Sequence, residues 1–416
     1  MKYDVLVLGA GMVGVSCALH LQSRGKSVVL FDRREPGLET SFGNSGIIQR
    51  EAIEPYELPR KLSFLASAIL NRRLDVRFHP RAIGKMAGPL LSYYRNSAKR
   101  PHAVISKAYE SIIALSLETH GQLIKDANAQ SLLGGRGYLT VFRTEKELHA
   151  LYRKADERAR HGVGHHKMNG SEVGNLEPSL TGHFVGGVYW TDPITVKSPG
   201  DLVQAYAGLF EDRGGDLSIG DASSLTKSAD GGWHVKSADG GVIEADEVVI
   251  ALGPWSVELT SRYGYKPPMF IKRGYHMHFT PKVGRQLNHW VIDAEMGYVV
   301  CPMKNGLRLT TGAELAEIDA PMTPLQLAAA EKIARCVFPL GEKVDQKPWM
   351  GGRPCMPDMK PVIGAVPFVP GMWCAFGHGH QGFTLGPATG ELLADLMTGA
   401  KTKIDAAPFA PSRAFV

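Results

Sequence analysis

At 416 residues the chain has room for two domains, or for one large domain with a cap. Its 44% hydrophobic and 21% charged residues describe a globular protein rather than a disordered one, and a net charge of +6 gives no argument for a nucleic-acid partner. The five cysteines, Cys17, Cys301, Cys336, Cys355 and Cys374, lack CxxC spacing, which argues against a disulfide framework or zinc site and for reduced thiols in the cytoplasm. Strand-like sequence begins at residue 3, leaving no room for a signal peptide, and no run of about 20 apolar residues offers a transmembrane helix.

The first element is a buried-strand pattern, Val5 to Leu8, followed by Gly9, Gly11 and Gly14 in G-x-G-x-x-G spacing. A helix is predicted over 12–24 and a second strand over 27–31, closed by Asp32, 18 residues after Gly14. Gly9 permits a tight turn, Gly11 lets the backbone approach a pyrophosphate, and Gly14 lets helix and strand pack closely. The helix N-terminus offers free N–H groups and a positive dipole end to phosphates, and Asp32 can accept hydrogen bonds from ribose hydroxyls. Strand, helix and acid in this order mark a dinucleotide site rather than an ordinary glycine-rich turn.

A Gly/Ser/Asn loop follows, Glu39 to Gly46, and residues 56–128 read as mainly helical. That helical part holds an apolar patch, Leu62 to Leu70, and a basic stretch with Arg72, Arg73, Arg77, Arg81, Lys85, Arg95, Lys99, Arg100 and Lys107. Strand patterns at 138–142 and 184–190 flank a charged amphipathic helix at 146–160. A helix over 199–213 has Ser198 at its N-cap position, and 244–252 is an apolar strand ending in Gly253-Pro-Trp255. Strand-like runs at 269–279, 297–302 and 306–312 precede a helix at 323–336, and the end, 373–397, reads strand, glycine-rich turn, helix. Parallel βαβ signals at both ends and in the middle, with an antiparallel set between them, predict an α/β protein of two interleaved domains.

Four separated segments carry a resemblance to one family: the opening fingerprint, Glu39 to Gly46, Asp246 to Trp255, and Gly351 to Asp358 continuing through Pro361–Gly364 to Gly377–Thr384. In this order they resemble the FAD-dependent D-amino-acid oxidase/dehydrogenase family, which includes glycine oxidase and sarcosine oxidase. The bacterial D-amino-acid dehydrogenases look closest, with D-R-x-x-P-G and then E-T-S-x-x-N-x-G after the fingerprint. The resemblance implies a Rossmann-like FAD-binding domain made of 1–50, 147–183, 195–265 and 350–416. An antiparallel-sheet substrate domain of α+β type would take 51–146, 184–194 and 266–349.

It also implies roles. Gly9, Gly11, Met12, Val13, Gly14 and Asp32 would hold the ADP half of a non-covalent FAD, with Arg33 reaching phosphate or adenine-side groups. Ser41, Asn44, Ser45 and Gly46 match a loop that approaches the pyrophosphate and isoalloxazine, where small residues and N–H groups suit an anion. Ala251, Gly253 and Trp255 meet the cofactor at a strand end. Gly377, His378, Gly379, Gly382, Phe383 and Thr384 open the last helix, whose N–H groups would face the flavin pyrimidine oxygens. Arg353 resembles the carboxylate-binding arginine of such enzymes, a guanidinium making two parallel hydrogen bonds, and Tyr298 resembles a tyrosine that touches the same carboxylate. The reaction implied is hydride transfer from the substrate Cα to flavin N5, giving an imino acid that water hydrolyses. His276 and His378 are the candidate proton handlers.

The expected substrate is a D-amino acid, with D-proline or a D-hydroxyproline as a variant, and the expected role lies in amino-acid catabolism. A sarcosine- or glycine-type amine oxidase is the neighbouring reading, and a flavin-binding subunit of an electron-transfer complex the reading without turnover. Oxygen or a quinone of the respiratory chain would take the electrons. The basic segment 72–107 admits peripheral contact with the inner face of a membrane, weighed against a solvated helical face. The histidine pairs 276/278 and 378/380 lack further ligands for a metal.

Overall fold

The computed structural model describes residues 2–71, 73, 75–79 and 82–415. Arg72 and Arg81 of the basic stretch lie outside the described residues. The opening strand β1 (Lys2–Leu8) lies between β2 (Val28–Asp32) and the strand Val242–Ile250, parallel to both. Its four apolar residues Val5 to Leu8 are fully buried. A strand covered on both faces has no solvent side, so it reads as an unbroken apolar run. The sheet order is Val362–Ala365, Met372–Phe376, Val242–Ile250, β1, β2, Asp216–Ile219, with Trp233–Lys236 attached to Val242–Ile250 and Thr226–Lys227 attached in turn to Trp233–Lys236.

Helix α1 (Met12–Gln22) packs on the C-terminal helix Gly382–Thr398. The contact depends on two glycines four residues apart. A Cβ on Gly386 would lie 2.6 Å from the Met12 side chain, and one on Gly390 would lie 2.6 Å from the Ser16 backbone. Pro387 sits inside the C-terminal helix and cannot donate to the Phe383 carbonyl one turn earlier. The fully buried His120 makes good that loss, its Nε2 lying 2.9 Å from the same carbonyl oxygen.

The larger sheet runs Ile47–Ile48, Gly186–Val196, Leu133–Phe142, Val291–Asp293, Tyr298–Met303, Gly306–Thr310, Phe270–Pro281, Ala313–Leu315, Val76–Phe78. His165–Asn169 adds to Gly186–Val196, while Leu340–Lys343 and Trp349–Cys355 add to Phe270–Pro281. Parts of all four segments expected in the FAD-binding domain pair into this sheet, including Ile47–Ile48 from 1–50 and residues 195–196 from 195–265. Within 147–183, His165–Asn169 runs antiparallel to Gly186–Val196, and 350–355 is part of a strand antiparallel to Phe270–Pro281, so both segments join the larger sheet. The helices of the 56–128 region are Leu62–Ile69, Ile83–Asn96, Lys99–Ile113 and Ser116–Asp126. Ser198 stands at the N-cap of Pro199–Asp212, but its side chain makes no capping hydrogen bond. Among the described residues no helix is long and apolar enough to cross a membrane.

Candidate active site

A cavity of about 1000 Å³ touches both sheets. One stretch of its wall is main chain. Gly9 has φ +108°, and a Cβ there would overlap the Ala251 carbonyl. A Cβ on Gly11 would come 3.3 Å from Ser41 Oγ, which accepts the Met12 N–H at 3.0 Å. Asp32 Oδ2 accepts the Ala10 N–H at 2.6 Å and so braces the turn. Burial raises the Asp32 pKa against the opposing pull of backbone N–H groups. Beside it the Arg33 guanidinium lies 4.2 Å from the centre of the Trp255 ring and pairs with Glu39 at 2.8 Å. A glycine cradle, an α-helix N-terminus and a braced acid fit a dinucleotide.

The 39–46 loop enters this wall on two buried supports. Arg308 Nη1 donates to the carbonyls of Phe42 at 2.9 Å and Asn44 at 2.6 Å, and Trp290 Nε1 donates to Ser45 O at 2.7 Å. His278 bridges Arg308 to Asp345, which gives that histidine a structural role.

Of the residues expected to hold the cofactor, Gly9, Gly11, Met12, Val13, Asp32, Arg33, Ser41, Asn44, Ser45, Ala251, Gly253, Trp255, Gly377, His378, Gly379, Gly382 and Phe383 line this cavity. Gly14, Gly46 and Thr384 do not. Gly14 packs so tightly on Gly9 that a Cβ would overlap its carbonyl, Gly46 takes φ +70° beside Val196, and Thr384 Oγ1 donates to Ile47 O at 3.2 Å.

A second stretch of wall is side chains. Arg353 on Trp349–Cys355 stands directly opposite Lys272 on Phe270–Pro281, and both line the cavity. The Arg353 guanidinium lies over Gly274, whose missing Cβ makes the space, and donates to Gly312 O at 2.8 Å and Thr311 O at 3.3 Å. Two of its five N–H groups are used this way, leaving a fork for a ligand. Lys272 Nζ donates to the Tyr93 hydroxyl at 3.0 Å. Tyr56 is 62% exposed, open to the cavity, and meets His380 edge-on at 4.5 Å between ring centres.

His380 is pushed down to about 3 by burial, then by Arg353 and Lys272, so it is neutral at pH 7. Gln381 Nε2 lies 3.2 Å from His380 Nε2 and donates to Gln49 Oε1, and Gln49 in turn donates to the buried Glu51. With Gln381 as donor, the neutral ring carries its proton on Nδ1.

Of the three remaining expected site residues, one lies off the cavity and two, His378 and Tyr298, line it. His276 does not line the cavity. It is 1% exposed, stacked on Trp349 at 4.8 Å, and pushed down to about 2 by burial together with Arg308 and His278. His378 reaches the cavity but its Nε2 is spent on Thr389 Oγ1 at 2.9 Å, and burial pushes it down to about 3. Tyr298 borders the cavity with its ring turned into the core against Phe338, and burial with the Asp293 carboxylate raises its pKa. The groups that do face Arg353 and Lys272, namely Tyr56 and His380, carried little sequence signal. Only the period-2 pattern of 269–279 hinted that Lys272 shares a strand face with Gly274. Among the described residues no group of three or more His, Cys, Asp or Glu side chains is arranged to hold a metal.

Residues 4–396 match the DAO family, described as FAD dependent oxidoreductase. The chain is 27% identical over 409 residues to a D-amino acid dehydrogenase of Chromohalobacter salexigens, covering 97% of each chain. It is 29% identical over 427 residues to a D-amino-acid oxidase of Bradyrhizobium diazoefficiens, covering 98% of each. Glycine oxidase from Geobacillus kaustophilus shares the fold, with a TM-score of 0.74, 23% identity and 99% of both chains covered. The chain belongs to the DAO family of FAD-dependent oxidoreductases.

Proposed function

We propose that the protein oxidises a D-amino acid at Cα, with Arg353 holding the substrate carboxylate. The observation that carries this reading is an arginine fork lining the cavity with no carboxylate partner among the described residues. The names of the two curated relatives support the D-configuration. FAD supplies the two-electron acceptor. The glycine wall would hold its ADP half, and the N-terminus of Gly382–Thr398 would face its flavin ring. The FAD would be held without a covalent link, since Cys355 is followed by Met-Pro-Asp, which departs from the pattern of relatives that attach flavin through cysteine.

The protein's part is then positioning. Two parallel N–H···O bonds from Arg353 fix the direction of the carboxylate and with it that of the Cα–H bond. Neutral His380, with its proton on Nδ1, can donate to a substrate oxygen but is a poor general base at pH 7. The amine must therefore arrive unprotonated, losing its proton to water before the chemical step. A secondary amine such as D-proline or a D-hydroxyproline meets the same carboxylate contact. Oxygen or a quinone is the proposed final acceptor.

Anaerobic mixing of the holoenzyme with a panel of acids tests the reading. The panel holds D-alanine, D-proline, both 4-hydroxy-D-prolines, glycine, sarcosine and the L-enantiomers. Loss of the visible flavin absorbance with D-forms alone is expected, and admitting air then separates an oxidase from a dehydrogenase. Bleaching by L-forms, or by no amino acid at all, would overturn it.

A further inference from the structure

Lys272 and Arg353 are cross-strand partners in antiparallel register, so both side chains leave the sheet on the same face. Like charges directly opposite one another destabilise a strand pair. Two other ions of the cavity wall do have partners: Arg33 pairs with Glu39, and Asp75 pairs with Arg73. Among the described residues neither Lys272 nor Arg353 has an ion-pair partner. Their protein contacts are neutral: the Tyr93 hydroxyl and ring for Lys272, two carbonyls for Arg353. Two half-buried cations facing one cavity without an anion repel each other, and one carboxylate would cancel only one of them.

We propose that this is a two-anion site, in which Arg353 takes the α-carboxylate and Lys272 takes a second anionic group on the same substrate. The substrate class is a dicarboxylic amino acid, or one whose nitrogen carries a second carboxylate. The inference rests on the role given to Arg353 under the proposed function. Lys272 has two N–H bonds left after Tyr93, enough for a carboxylate oxygen pair. The amine stays neutral for oxidation and adds no charge, so a dianion balances the pair.

The test is a titration of the holoenzyme followed by flavin absorbance, at constant ionic strength and about pH 8, where both carboxylates are ionised. The probes are unreactive: malonate, succinate, glutarate and adipate, each against the straight-chain monocarboxylate of the same carbon number. At least one dicarboxylate should bind about tenfold tighter than its monocarboxylate. Lys272→Met should erase that preference while moving the monocarboxylate Kd by less than about twofold, and Lys272→Arg should keep most of it. Equal binding of the two classes by the wild type overturns the proposal, whatever the variants do. Equal weakening of both classes in Lys272→Met also overturns it, since the lysine would then share the single carboxylate. Arg353→Met separates the two ideas: it should weaken both classes, and no effect on either would bring down the Arg353 assignment itself.

Discussion

Where the cavity passes α1 its wall is main chain; where it passes Lys272 and Arg353 its wall is charge. The first wall is set by contacts that admit no side chain at all, such as Gly9 on Ala251 and Gly14 on Gly9. The second is set by which residues two distant strands bring into register. A backbone wall therefore fails by steric insertion and takes the cofactor with it. A charged wall fails by losing an ion and leaves the cofactor in place. The substitutions below are arranged to break that contrast.

Gly9→Ala is the severest. It combines a φ of +108° with an overlap on the Ala251 carbonyl, a cost of about 2–4 kcal/mol. We expect colourless protein, with a flavin-to-protein absorbance ratio below about a tenth of wild type, since each 1.4 kcal/mol costs tenfold in binding. Normal flavin content would show that the turn can move, and the contrast between the walls would fall.

Arg353→Met should leave flavin content intact. It should lower kcat/KM by about 10²-fold or more, the loss of charge-assisted hydrogen bonds to a carboxylate. Steady-state kinetics on the best substrate of the panel check it. An unchanged kcat/KM would remove Arg353 from the site.

How legible these walls are in the sequence follows from what builds them. Gly9, Gly11, Gly14 and Asp32 lie within one βαβ unit, so local spacing reports three-dimensional proximity, and the strands, helices and sheet class are legible for the same reason. Tyr56, Lys272 and His380 belong to three chain segments more than a hundred residues apart in places, and no local pattern carries their meeting. The histidines show the same limit. His276 and His378 stand in suggestive motifs, yet one is stacked behind Trp349 and the other is tied to Thr389, while His380 faces the cations. Residue type was readable; the side of a strand or turn on which each ring falls was not.

The core histidines give a pH dependence. In the unfolded chain His276 titrates near its usual value, about 6.5, and in the folded protein near about 2. Below 6.5 the unfolded chain binds the proton first. The contribution of neutral His276 is thus fully present above pH 6.5 and is lost as pH falls toward the folded value, by about 1.4 kcal/mol per pH unit. Thermal melts at pH 7, 6 and 5 should show Tm falling, and His276→Gln should flatten the slope by about that amount per unit. A Tm independent of pH over this range would contradict the burial of these rings.

Tyr298→Phe is the smallest expected effect and the sharpest on the charged wall. The resemblance places this hydroxyl on the substrate carboxylate, whereas the fold turns its ring into the core against Phe338, with the Asp293 carboxylate close enough to raise its pKa. Removing an oxygen there leaves the cavity's cations untouched. We expect kcat/KM within about threefold of wild type and a stability change within about 1 kcal/mol. Tyr56→Phe, the same deletion on a ring that opens into the cavity, should raise KM more than Tyr298→Phe does. If the order were reversed, the substrate would have to approach Arg353 from the Tyr298 strand, and the charged wall would need redrawing around that tyrosine rather than around Lys272.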